Sequence, residues 1–571
     1  MVNKTLKTVY EDSLDRSCPY NEYPRPQLKR NSFFTLNGEW DFKMTKETSL
    51  PESYEEKILV PFPPESALSG IERGHARGEF LYYRRSFTLP EDFKIDRIIL
   101  HFGAVDQIST VYINGQEVGS NEGGYLPFSF DVTDFLTKGE NDITVRAIDD
   151  LLLAYPYGKQ RLDRGGMWYT PVSGIWQTVW LESVPKEHIR KIKITPSVSS
   201  VKIEVDTDAE NKRLVLESGE KFEFVGDSIE FAPSEIKLWT PETPNIYRFT
   251  LTAGEDKIES YFAMREISVK DFDGRWRICL NGEPYLFNGL LDQGYYPDGI
   301  FLPATQDGYK DDILTAKALG FNMLRKHIKI EPECFYYLCD TLGMAVFQDA
   351  VNNSDYSFFR DTLLPTIGLK RLPDKKLHKC KKARRIFTET ALKMTEHLYN
   401  HPSILYYTVF NEGWGQFSAD EVYEKVKKSD GTRIIDATSG WFVRRKSDVD
   451  SHHVYFKKLR ANAPTKRPVV ISEFGGYSHR CEGHLFGEEN YGYRTFKSRE
   501  EFEENVKKLY LDEVLPLVKK GVSALVYTQV SDVEDETNGF LTYDRKVLKV
   551  NPDAFKEISN LLKEASKENR K

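Results

Sequence analysis

A chain of 571 residues with a net charge of −8 is long enough for about three or four domains, each burying its own core. Its composition is globular, 40% hydrophobic, 29% charged and 13% aromatic. No basic stripe suited to nucleic acid stands out, no apolar run approaches the roughly 18 residues of a membrane span, and the opening MVNKTLKTVYEDSLDRSCPY lacks the apolar stretch of a secretory signal.

Six cysteines are scattered along the chain, too sparsely for a disulfide framework or a zinc site. A reduced, cytoplasmic protein is expected, without nucleic-acid or membrane partners, cofactor or metal; self-association is left open. Residues 1–182 carry short alternating segments, among them FLYYRRSFTL, RIILHFGAV, DITVRAID and QTVWLESV, between Gly, Pro, Asn and Asp turns. Asn114-Gly115 is a tight hairpin signal. This spacing predicts a β-sandwich of jelly-roll type. Residues 183–268 continue with VKIEVDT, RLVLESG and IYRFTLTAG and suit an immunoglobulin-like sandwich. Neither region holds a catalytic cluster.

From 269 to 571 the pattern alternates. Eight strand candidates appear: YLFNGLLDQG, FNMLRKH, MAVFQDA, ILYYTVFNE, RIIDATSGW, DSHHVYF, VVISEFGG and SALVYTQVSD. Amphipathic runs such as TQDGYKDDILTAKALG and RRIFTETALKMTEHLYN lie between them. That alternation predicts a (β/α)8 TIM barrel, whose active face is built from the C-terminal ends of its strands. Each candidate strand ends in polar groups: Asp292 and Gln293; Arg325 and His327; Asp349; Asn411 and Glu412; Asp436, Ser439 and Trp441; His452 and His453; Glu473; Gln529 and Asp532.

Two of these are glutamates, on the fourth and seventh strands. In a barrel they would face each other across the mouth, as glycoside hydrolysis requires of its two carboxyl groups. Glu412, among Phe410, Trp414 and Phe417, has the apolar setting that favours a protonated acid/base. Glu473 reads as the nucleophile, with Arg325 to keep it ionised. Asn411 is placed to hydrogen-bond a sugar hydroxyl beside the reacting carbon.

At these residues the chain resembles glycoside hydrolase family 2, which contains β-galactosidases, β-glucuronidases and β-mannosidases. The most specific stretches are GGMWYTPVSGIWQTVWLE (165–182), LWTPETPNIY (238–247), GFNMLRKH (320–327), NHPSILYYTVFNE (400–412) and ISEFGG (471–476). The resemblance implies a jelly-roll, immunoglobulin-like and barrel order, and retention of configuration through a glycosyl-enzyme. It assigns Glu412 as acid/base and Glu473 as nucleophile, and matches Arg325 and His327 after the second strand. Tyr477 and His479 would line the sugar pocket, Tyr527 occupies a family aromatic position, and Trp414 and Trp441 would stack on a sugar face. His453 reads as a hydroxyl partner or a structural histidine rather than a metal ligand. Asp292, Asp298, Asp349, Asp436 and Asp532 are hydroxyl acceptors to be sorted.

There are departures from the family. Tyr407 stands where the acid/base strand usually has Trp. The region after the eighth strand reads Asn538-Gly539-Phe540, without the lysine that grips a glucuronide carboxylate, so glucuronide is disfavoured unless Arg325 or Lys326 serves instead. A β-galactoside is the expected substrate. A uronide, a β-mannoside, an arabinoside or a galactofuranoside is the alternative, and an inactive carbohydrate-binding protein is the alternative of another class.

Overall fold

Two antiparallel sheets between Phe33 and Val184 share one apolar core. The larger orders its strands Glu56–Val60, Gly38–Thr45, Phe80–Thr88, Glu140–Ile148, Ile108–Ile113 and Gln116–Glu122; the smaller orders Phe33–Thr35, Val179–Val184, Arg97–Phe102 and Phe128–Asp131. Alternation along Gly38–Thr45 turns Trp40 and Phe42 inward, against Leu100 and Leu181 of the other sheet. The Asn114-Gly115 hairpin forms as expected, with φ of +51° and +76°, the left-handed pair that such a turn requires. A second sandwich follows. Its three-stranded sheet runs Lys191–Pro196, Val201–Asp206 and Ser228–Phe231, and its four-stranded sheet Lys221–Val225, Asn211–Leu216, Tyr247–Ala253 and Asp256–Phe262.

The barrel strands are β1 (Phe287–Asp292), β2 (Met323–Lys326), β3 (Ala345–Asp349), β4 (Ile404–Asn411), β5 (Ile434–Ser439), β6 (Asp450–Val454), β7 (Val469–Gly475) and β8 (Ala524–Thr528). All eight coincide with the segments expected from the sequence. Their order is β5-β4-β3-β2-β1-β8-β7-β6, every pair parallel. Strands β5 and β6 form no ladder with each other, so the ring is nearly closed, and side chains bridge this seam: Ser439 Oγ lies 3.0 Å from His453 Nε2. Trp239, Ile278 and Leu280 share a core with Phe287, Met323, Ala345, Leu405 and Ala524, residues at the starts of the strands. That end of the barrel is thereby plugged, and the mouth lies at the strand C-termini. The computed structural model describes residues 6–93, 96–364, 373–440, 442, 444–455, 457–460 and 466–568. Among them no helix is long and apolar enough to cross a membrane, and all six cysteines are free thiols.

Domains are locked by buried polar contacts. Asp340, on the helix Glu333–Leu342, accepts from Tyr261 Oη of the second sandwich (2.6 Å), His401 Nδ1 (2.7 Å) and Ser403 N (2.9 Å). Alanine there orphans three buried donors, each costing about 1–3 kcal/mol. Asp340→Ala therefore loses at least about 3 kcal/mol, read as a lower calorimetric melting temperature; an unchanged midpoint would refute this account of the junction.

Candidate active site

Strand β4 is buried along its whole length. Phe410 faces outward and stacks on Phe387 of the helix Lys381–His397 at 4.7 Å. The chain then breaks out of strand geometry. Glu412 has φ of +52°, a left-handed conformation that costs a non-glycine residue roughly 1–3 kcal/mol and clusters at functional sites. The glycines after it are steric necessities. A Cβ on Gly413 would lie 2.1 Å from the Phe442 ring, and one on Gly415 would lie 2.6 Å from the Asn353 carbonyl oxygen. The bend turns the Glu412 carboxylate into the mouth.

There it meets Glu473, from β7. One oxygen of each carboxylate and one nitrogen of His453 lie within 4.8 Å of one another. Arg325 on β2 is the hub beneath them. Its guanidinium donates to Glu473 Oε1 (2.9 Å), Asn411 Oδ1 (2.8 Å), Asp349 Oδ1 (3.0 Å) and the Ser472 carbonyl (2.9 Å). Asp349 also holds His327 through Nδ1 at 2.8 Å. His453 Nδ1 lies 2.8 Å from Glu412 Oε1 and 3.3 Å from Glu473 Oε2. With two carboxylates facing Nδ1, the ring proton belongs on that atom, and Nε2 accepts from Ser439 Oγ. Asn411, with its oxygen taken by Arg325, offers its amide N–H groups. The trio Glu412, His453 and Glu473 has a spacing that could ligate a metal ion; Arg325, however, already supplies compensating positive charge to Glu473.

Burial governs the electrostatics. It raises the pKa of Glu412, against the opposing influence of Lys159, His327 and Arg325. It also raises Glu473, reinforced by the charge of Glu412 and opposed by His453, Arg325 and the Tyr455 hydrogen bond. His453 is pushed down to about 3 and His327 to about 4, both chiefly by burial, so both rings are neutral. Glu412 keeps 17% of its side chain exposed against 6% for Glu473. The carboxyl that solvent and a departing group can reach is therefore Glu412.

The structure thus joins Glu412, Glu473, Asn411, Arg325, His327, Asp349 and His453 in one network. Other expected site residues lie elsewhere. Asp292 pairs with Lys326 at 2.6 Å, inside a second buried network with Glu331 and Lys329. Trp414 is only 3% exposed and meets Trp168 edge-on at 4.9 Å and Tyr157 at 5.4 Å. It is a buried wall, not the surface-loop platform expected. Tyr527 is fully buried and stacks on Phe540 at 4.8 Å, which makes it barrel core. Tyr477 packs on Phe496 and under Arg494. Trp441 lies outside the described residues. Asp298 anchors Thr8, Asp436 accepts from Tyr406 Oη, and Asp532 holds Lys549.

Sequence reasoning missed Tyr455. It follows β6 directly, donates to Glu473 Oε2 and stacks on Tyr493 at 3.8 Å. Its place at a strand end was a usable signal. It also missed that the first sandwich reaches the mouth. Tyr157 N donates to the Asn352 carbonyl (3.0 Å), Thr170 N to Glu534 Oε1 (2.8 Å) and Tyr169 Oη to Glu536 Oε2. No local pattern announces these contacts.

A parallel β/α barrel with two carboxyl groups facing each other across its mouth defines the class of sugar-cleaving barrels. The chain belongs to glycosyl hydrolases family 2: residues 72–185 match the family's sugar binding domain, 186–265 its central domain and 277–542 its TIM barrel domain. It is 27% identical over 398 residues to a β-galactosidase from Aeromonas hydrophila, covering 63% of this chain but only 36% of that protein's length. In fold it resembles a β-glucuronidase from an uncultured Clostridium (TM-score 0.73, 19% identity, 94% of this chain and 99% of that one). A family 2 β-galacturonidase from Eisenbergiella tayi is similar too (TM-score 0.67, 20% identity, 94% and 97%).

Proposed function

We propose that this chain is a retaining exo-β-glycosidase that removes terminal β-linked sugar residues by double displacement. The observation that carries the reading is the carboxylate pair. Oxygens of Glu412 and Glu473 within 4.8 Å suit retaining enzymes, at about 5–5.5 Å, and leave no room for the water that inverting enzymes hold between groups about 6.5–9.5 Å apart. Glu473, oriented by Arg325 and Tyr455, attacks the anomeric carbon. Glu412 gives its proton to the leaving oxygen, the glycosyl ester forms, and the leaving group departs. Glu412 then takes a proton from water, which attacks the same carbon and frees Glu473. Asn411 donates to the hydroxyl next to the reacting carbon, and neutral His453 hydrogen-bonds whichever carboxylate carries charge. β-Galactoside is the first glycone to test, in keeping with the curated relative.

Arg325 opposes the rise of the Glu473 pKa. Arg325→Lys keeps a charge but loses the fork geometry that reaches Asp349, Asn411 and Glu473 together. The Glu473 pKa then rises, and activity that needs ionised Glu473 is lost at a higher pH as pH falls. The acidic limb of the kcat/KM profile moves upward; a limb that stays put or moves down would refute the role. The reading as a whole is tested with nitrophenyl β-galactoside, β-glucuronide, β-galacturonide, β-mannoside, β-xyloside, α-arabinoside and β-galactofuranoside. Cleavage of one identifies the glycone. A folded protein that cleaves none while binding sugars would support the inactive binding protein instead.

A further inference from the structure

Lys159 stands at the mouth as a cation without an acidic partner among the described residues. Its segment of the first sandwich is fastened over the barrel. Gly158 N, like Tyr157 N, donates to the Asn352 carbonyl (3.3 Å), the Lys159 carbonyl accepts from Tyr169 N (3.0 Å), and Tyr169 Oη reaches Glu536. The ammonium lies 5.7 Å from the centre of the Trp168 ring, which meets Trp414, two residues past Glu412. From there its charge bears on Glu412, His327 and Glu536, which belong to the β4, β2 and β8 ends of the mouth.

The neighbouring basic side chains are committed. Arg325 is saturated by Asp349, Glu473, Asn411 and Ser472, so it cannot take a further anion without losing one of these. Lys326 holds Asp292 and Glu331. Lys329 holds Glu331 (2.9 Å) and the Gly294 and Phe301 carbonyls. Lys549 holds Asp532 (2.7 Å) and the His479 and Thr537 carbonyls, and Arg164 holds Glu534 at 3.2 Å. Among the described residues, no carboxylate comes within ion-pair distance of Lys159. Its side chain is half-buried, and an ammonium partly removed from water without a counter-ion is destabilising unless a ligand supplies one.

We propose that Lys159 binds a carboxylate carried by the saccharide substrate, making it a specificity-determining residue. The assignment rests on the glycosidase reading above. The carboxylate belongs either to the sugar being released or to an acidic sugar on the leaving side, and one experiment separates the two. The released-sugar pair is nitrophenyl β-galactoside and nitrophenyl β-galacturonide, which differ only at C6. The leaving-side pair is a β-galactosyl disaccharide with a neutral reducing unit and its counterpart with a uronic acid there.

In Lys159→Gln the acidic-to-neutral ratio of kcat/KM falls about 10- to 100-fold in one pair, mainly through KM, the size expected for a charged hydrogen bond. Lys159→Arg keeps the ratio within a few-fold. If a neutral member is not cleaved, the KM of its acidic partner is the readout. An unchanged melting temperature separates this loss from misfolding. Ratios unchanged in both pairs overturn the proposal. So does a wild-type protein that cleaves neutral members and neither acidic one, a result that leaves the glycosidase reading standing. Cleavage of none of the four substrates overturns the proposal, and the glycosidase reading falls with it only when the other nitrophenyl glycosides of the panel are inert as well.

Discussion

Glu473→Ala abolishes turnover of every β-glycoside, by on the order of 10⁵-fold or more, as loss of an enzymic nucleophile does. The substitution removes the oxygen that forms the bond to the anomeric carbon, so no improvement in leaving group compensates for it. The vacated space is lined by Arg325, 2.9 Å from the lost oxygen, and Tyr455, both donors suited to an anion. Azide or formate entering there attacks from the nucleophile's face and restores turnover, and the product has inverted configuration because only one displacement occurs. Product configuration is read by NMR. Rescue with retained configuration would move the nucleophile elsewhere.

Glu412→Ala separates substrates by leaving group. General acid catalysis contributes about 10²–10⁴-fold, and that help matters only when the departing oxygen needs a proton. A disaccharide loses that full factor in its first step, whereas a dinitrophenyl glycoside keeps rapid glycosylation and stalls at the water step, so its glycosyl-enzyme accumulates. Azide, which needs no general base, then releases a product of retained configuration. The alkaline limb of the pH profile disappears too, since the group whose deprotonation ended activity is gone. Equal losses for good and poor leaving groups would remove Glu412 from the acid/base role.

The barrel and its carboxylate pair were legible because their signals are local. A buried strand needs a short apolar run, a helix needs a 3.6-residue period, and a barrel puts every strand's C-terminal end on one face. Asn411-Glu412 and Glu473 could therefore be placed from strand ends alone. Which strand-end groups converge was not legible. Asp292 sits at the same topological level as Asp349, yet Lys326 and the Gly294 amide claim it, while Asp349 turns to Arg325 and His327. Trp414 beside the acid/base looked like a sugar platform; its burial depends on Trp168 and Tyr157, some 250 residues earlier in the chain.

By itself, then, the sequence determined the order of sandwiches and barrel and the place of the two glutamates at strand ends, because these rest on periodicity and on residues that are chain neighbours. The tertiary structure alone decided that Arg325 also holds Asp349 and Asn411, the neutral state of His453 and the arrival of Lys159 over the mouth. Hydrogen bonding and desolvation act through distances of a few ångströms, and those distances are set here by contacts such as Tyr169 with Glu536, between residues that no local pattern relates.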